Sequence, residues 1–199
     1  MMKRILIVGD YFSPFDHPSV MELRSALNRM GYYAEIFLPS DSLKKTREKL
    51  ETQVDENPFD LIVTIETGCL LAARMSNFLR IFVNPDWAAW EWMCRLLGEE
   101  ECRVVHRSED DYGPYFQYNL NPDEIEMARD MAEPDNIRLN DNMACGWFTQ
   151  DLVESHLQHE HLKRFNSTTF ISGMRLDTEE GISVLAQQIN IFLTIIAEE

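Results

Sequence analysis

The chain is short of basic residues, cysteine and glycine, and each shortage removes a class of protein. Its 18 lysines and arginines stand against 34 aspartates and glutamates, a formal net charge of −16. A field of that sign repels phosphate backbones and anionic lipid surfaces, so neither nucleic acid nor a membrane surface is an expected partner. The four cysteines, Cys69, Cys94, Cys102 and Cys145, are scattered without a CxxC pair. That spacing supplies neither a disulfide framework nor a thiolate metal site, and it suits reduced thiols in a cytoplasmic protein. There are eight glycines, and Gly9 has no partners that would complete a G-x-G-x-x-G fingerprint; a P-loop is absent too. No apolar run approaches the ~18 residues that cross a bilayer, and the one in MMKRILIVGD is too short for a signal-peptide core. No cofactor or metal is expected from these patterns.

What is present is enough for one sizeable core, with 45% hydrophobic residues in 199. Short apolar runs alternate with amphipathic stretches, a βαβα pattern that implies a three-layer α-β-α sandwich around a mainly parallel sheet. Strands are expected at Arg4 to Val8, Tyr33 to Leu38, Leu61 to Ile65, Ile81 to Val83, Met143 to Phe148 and Thr168 to Ile171. Between them, Ser19 and Glu22 make a capping-box pair ahead of Val20, Leu23, Leu27 and Met30 at helical spacing. Leu43 to Leu50 reads as a polar helix, DWAAWEWMCRLL as an apolar one, and Asp151 to Leu162 as another. A last helix from about Thr178 carries Ile182, Leu185, Ile189, Phe192 and Ile196 on one face. From about Gly98 to Asn140 the alternation breaks, although Asn121 and Pro122 mark a helix start. This stretch is expected to be a small cap insertion within one domain spanning residues 1–199.

Asp60 to Ala73, DLIVTIETGCLLAA, concentrates the chemistry: a buried strand enters a sharp turn at Glu66, Thr67 and Gly68 and continues as a helix of small and apolar residues. Together with VGDYFSP (Val8 to Pro14), FVNPDWAAWEWM (Phe82 to Met93) and FISGMRLD (Phe170 to Asp177), it resembles the small bacterial YqiA-type esterases, compact α/β-hydrolases, over nearly the whole chain. In that family the corresponding segments read HGFxSSP, IVGSSLGG, VVNPAVRPFELL and IEGGxHxF. The resemblance implies an α/β-hydrolase-like fold, a nucleophile elbow at residues 64–68 and an oxyanion loop after the first strand.

The departures fall on the catalytic positions. Serine is replaced by Glu66 and the glycine two residues before it by Thr64, while Gly68 is retained. The acid position reads Gln150, with Asp151 one step away. The histidine segment reads Met174, Arg175 and Leu176, and no histidine follows His161. Members of a triad act as a unit, so these losses together leave no ordinary route to acyl transfer. The implied function is a non-catalytic relative that binds a small molecule or a protein in the former substrate crevice. Gly9, Asp10, Tyr11, Glu66, Thr67, Gly68 and Arg175 are its expected lining, with Glu66 and Arg175 as a candidate ion pair. The alternative is an ester or thioester hydrolase with Glu66 or Cys69 as its nucleophile.

Other residues carry two readings. Cys69 lies near a helix start, where a thiol pKa falls, yet the LLAA that follows fits a buried structural thiol. His156, His159 and His161 do not share one helix face and lack a complete ligand set, which favours a solvated surface. Asp10, Asp16 and His17 fit either a pocket wall or turn formation.

Overall fold

Strands buried on both faces need mainly apolar side chains, and the four central strands largely meet that demand, with Thr64, Arg80 and Thr149 as buried polar exceptions. In the computed structural model, which describes residues 2–11, 17–97, 105–106, 117–118, 120–133, 137, 143–149, 168–172 and 175–197, the elements run β1 (Arg4–Val8), α1 (Pro18–Arg29), β2 (Tyr33–Ile36), α2 (Leu43–Glu56), β3 (Leu61–Ile65), α3 (Gly68–Ala72), β4 (Arg80–Val83), α4 (Ala89–Leu97), β5 (Val105–His106), β6 (Gln117–Tyr118), α5 (Pro122–Ala132), β7 (Ala144–Thr149), β8 (Thr168–Ser172) and α6 (Glu179–Ala197). Six strands form one sheet in the order β2-β1-β3-β4-β7-β8. Every pairing in it is parallel. β5 and β6 make a separate antiparallel ribbon.

The period-two alternation of the strands sorts the core into two layers. Ile5, Ile7, Val63, Ile81 and Trp147 pack under α1 and α6, with Leu23, Leu27, Leu185 and Ile189. Leu6, Val8, Ile62, Phe82 and Phe148 face the other way, under Leu50 of α2, Leu70 of α3, Met93 of α4 and Ala128 of α5. This is the expected three-layer sandwich, with near-continuous apolar strands as a parallel sheet requires.

Several boundaries shift for local physical reasons. Pro18, not Ser19, opens α1: proline lacks the N–H that a first helical position leaves unused. The cap is His17, whose imidazole accepts from the Ser19 N–H. α2 runs past Leu50 to Glu56 because Val54 extends the buried stripe of Leu43, Thr46 and Leu50. β2 ends at Ile36, and α4 begins at Ala89, after buried Trp87. Trp90 is partly buried against the core, with the Arg129 guanidinium 5.3 Å from its ring centre.

Within the expected cap insertion, α5 starts at Asn121 and Pro122 as anticipated, with the Asn121 side chain accepting from the Glu124 N–H at 3.0 Å. It packs against α2, α3 and α4. Buried Glu124 accepts from the Leu43 N–H at 2.7 Å, joining α5 to the positive end of α2. The expected helix at 151–162, with His156, His159 and His161, lies outside the described residues. So do Asp16, Gln150, Asp151 and Met174.

The strand order places the site. The chain leaves β1 toward β2 on one side and returns to β3 on the other, so the connections diverge between the carboxyl ends of β1 and β3. In open α/β sheets such a switch point forms a crevice.

Candidate functional site

β3 ends in a strained turn. Glu66 has φ +50°, a left-handed backbone that costs an ordinary residue about 1–3 kcal/mol and persists only when its surroundings hold it. They do so here through the main chain. The Glu66 N–H donates to Val83 O at 2.9 Å, and its carbonyl accepts from Cys69 N–H at 3.0 Å and Asp86 N–H at 3.3 Å. Gly68 lets the turn close against β1, since a Cβ there would run into the Gly9 carbonyl oxygen and lie 3.0 Å from that of Val8. Strand, positive-φ residue, glycine and helix therefore form a tight elbow whose tip carries a carboxyl group.

Two further clips hold the neighbouring strand ends. The buried Thr67 hydroxyl donates to Asp10 and accepts from the Tyr11 N–H at 2.8 Å, fastening the loop after β1 to the elbow. Asn84, with φ +46°, uses its side-chain oxygen to accept from Thr149 N–H at 2.9 Å, fastening β4 to β7. Both left-handed residues thus sit at the carboxyl edge of the sheet, facing the crevice end.

A cavity of about 240 Å³ opens beside the elbow, with Asp10, His17, Ser19, Glu66, Asp177 and the apolar Val20, Ile65 and Leu176 on its wall. Burial, then Asp10, then Asp86 raise the Glu66 carboxyl from its ordinary range to about 7. The residue is nevertheless exposed, so its carboxyl group is open to solvent as well as to the cavity. His17 adds a directional donor. Its Nδ1 accepts from the Ser19 N–H at 3.3 Å, so in the neutral ring the proton resides on Nε2. A second groove of about 220 Å³ lies between α1 and α6, lined by Arg29, Glu179 and Ile182 among others, and includes no elbow residue.

Of the expected lining, Asp10 and Glu66 are on the cavity wall. Gly9, Thr67 and Gly68 do not line it; Thr67 and Gly68 are buried within the elbow. Tyr11 contributes its N–H, while its ring is 1% exposed and belongs to the core under α2 and α3. The Arg175 guanidinium bonds the Asp177 carboxylate at 3.0 and 2.7 Å; among the described residues no ion pair joins it to Glu66. A carboxylate two residues away is the nearer partner for a side chain on an exposed turn. Cys69 is fully buried, with Thr64 Oγ1 3.3 Å and Val83 O 3.7 Å from its sulfur, and burial pushes its thiol far above the ordinary value. It has no access to a substrate.

Sequence reasoning missed Asp86 and Asp177. Asp86 follows Asn84 and Pro85 directly after a strand, and the rule that crevices form at strand ends would have flagged it. Asp177 lies far from the elbow in sequence, and only the packing of α6 beside α1 brings it in. Among the described residues no group of three histidine, cysteine or acidic side chains is placed to hold a metal.

No family model matches the chain, and no curated protein matches it. Solved structures do. Est1E from Butyrivibrio proteoclasticus, with ferulic acid bound, superposes with a TM-score of 0.69 at 11% identity, over 99% of this chain and 90% of that one. Mouse α/β hydrolase domain-containing protein 10 gives 0.64 at 11% identity, over 97% and 90%. The esterase domain of a Rhodothermus marinus protein gives 0.56 at 15%, over 96% and 85%. The chain has the α/β-hydrolase fold. In α/β hydrolases, the tip of the turn after the corresponding strand carries the nucleophile, in the strand-turn-helix context seen around Glu66.

Proposed function

We propose that this protein is a non-catalytic relative of the YqiA-type esterases that uses the former substrate crevice to bind a small molecule or a protein segment. The observation that carries the proposal is Glu66 at the elbow tip. Acyl transfer builds negative charge on an oxygen beside that tip and needs donors aimed at it. Here the groups converging on that space include the Glu66 and Asp10 carboxyl groups in place of a set of aimed N–H donors. The Thr67 hydroxyl has already taken up the Tyr11 N–H from the loop where a hydrolase places an oxyanion donor. The Cys69 thiol beside the elbow is sealed in the core.

The presence of His17 on the same cavity wall favours a second reading, a hydrolase with Glu66 as nucleophile and His17 as the base that activates water. Its tautomer opposes that role. With Nδ1 already accepting from the Ser19 N–H, the other nitrogen of the neutral ring carries the proton, and no free lone pair is left for a base.

Steady-state assays with short-chain p-nitrophenyl esters and acyl thioesters test the proposal. The expected result is no release above the buffer rate for the wild type or Glu66→Gln. Turnover in the wild type that disappears in Glu66→Gln overturns it in favour of the carboxylate-nucleophile reading.

A further inference from the structure

From Gly181 to Ala197 the chain holds no aspartate, glutamate, lysine, arginine or histidine, its longest run without one. That run is nearly the whole of α6. Ile182, Leu185, Ile189, Phe192 and Leu193 bury its inner side in the core, while Ser183, Gln187, Ile191, Thr194 and Ile195 are exposed. Two of the exposed side chains are large and apolar, Ile191 at 47% and Ile195 at 52% of their surface. The solvent face of a helix ordinarily carries charge, and this one carries none beyond its first turn. With the partly buried Val184 and Gln188, the two isoleucines make a stripe at i, i+4, i+7 and i+11, the spacing with which one helix seats along another. α1 does not fill that role. It meets α6 on the other flank, where Ser183 and Ala186 line a groove with Glu22 and Ala26, and where Asn190 accepts from the Tyr32 hydroxyl.

We propose that the stripe of Val184, Gln188, Ile191 and Ile195 is the surface on which a second copy of this chain docks, α6 against α6 about a two-fold axis. Charge selects the occupant. Two molecules of net charge −16 repel one another, and the repulsion is weakest where the facing surfaces hold no carboxylate. A basic partner gains nothing from a neutral helix, and an anionic bilayer is repelled by the same field. What suits this face is another surface that is apolar and uncharged, and a two-fold axis supplies one by bringing up the same stripe from a second copy. A contact one helix wide and about three turns long is small, so the dimer is a weak one that concentration and salt control. The inference involves neither the crevice nor ester turnover, and its outcome leaves the non-catalytic reading untouched.

The test is sedimentation velocity of the full chain over about two decades of concentration, up to ~300 µM, in low and high salt. A monomer–dimer equilibrium is expected, with a dissociation constant about tenfold lower in high salt, where the mutual repulsion is screened. Ile191→Asp sets a carboxylate against its own copy and is expected to leave monomer at every concentration. Ile195→Gln adds no charge and is expected to weaken the dimer by about tenfold, through the apolar surface it removes. Leu38→Asp makes the charged substitution at an exposed apolar position off the stripe, and is expected to dimerise as the wild type does. A wild type that stays monomeric in both salts, a dimer indifferent to both stripe variants, or one lost equally in Leu38→Asp overturns the proposal. So does co-sedimentation of monomeric wild type with phosphatidylcholine vesicles that Ile191→Asp abolishes, which assigns the stripe to a lipid surface instead.

Discussion

The Thr67 hydroxyl donates to the Asp10 carboxylate, and through that bond the elbow after β3 is clipped to the loop after β1. The same oxygen accepts from the Tyr11 N–H, so one side chain satisfies a charge and a buried amide together. Thr67→Ala removes both and leaves the amide without its partner. The expected loss is about 1–3 kcal/mol in urea denaturation, most of it regained by Thr67→Ser, which keeps the hydroxyl.

Gly68 and Gly31 separate two reasons for glycine. A side chain at Gly68 meets the carbonyls of Gly9 and Val8, rigid backbone that cannot yield without opening the β1–β3 junction. Gly31 has φ +90° with nothing near its would-be Cβ. Gly31→Ala is therefore expected to cost about 1 kcal/mol of backbone strain, and Gly68→Ala several times as much, read as the difference in denaturation midpoint.

The pH dependence of stability should carry a signature of Glu66. Its folded pKa, about 7, is above its ordinary value, so its favourable contribution is complete below the ordinary carboxylate range and is lost as pH rises through 7. Glu66→Gln cannot ionise. Relative to wild type it is expected to gain stability between pH 5 and pH 8, by about 1 kcal/mol once the open tip of the side chain is discounted. Equal pH profiles for the two proteins would contradict this.

Glu124 is 6% exposed and accepts from the first N–H of α2. Glu124→Ala leaves that donor unpaired and opens a gap between α2 and α5. A loss of about 2 kcal/mol is expected, with hydrogen exchange accelerated first at Leu43 and its neighbours.

The sheet was legible because its strands obey a strong rule. Leu61 to Ile65 is apolar enough to be buried on both faces, and its observed limits are those expected. Caps were harder, since Ser19 and Glu22 fit a capping pattern as well as His17 and Pro18 do, and only the backbone decides between them. The elbow was visible in the spacing of Glu66 and Gly68, because a sharp strand-to-helix turn needs a glycine where two backbones touch. The rest of the cavity was not. Asp177 and Glu66 are 111 positions apart, and no local pattern reveals that α6 delivers one to the other. The orientation of Tyr11 was equally hidden, because a tyrosine following a strand suits a crevice wall and a core position alike.

Intact-protein mass spectrometry after incubation with p-nitrophenyl butyrate, with p-nitrophenolate release followed in the same sample, tests the central claim most directly. The account predicts an unmodified mass and release no faster than in buffer. An acyl adduct or catalysed release in the wild type that is absent from Glu66→Gln would contradict it.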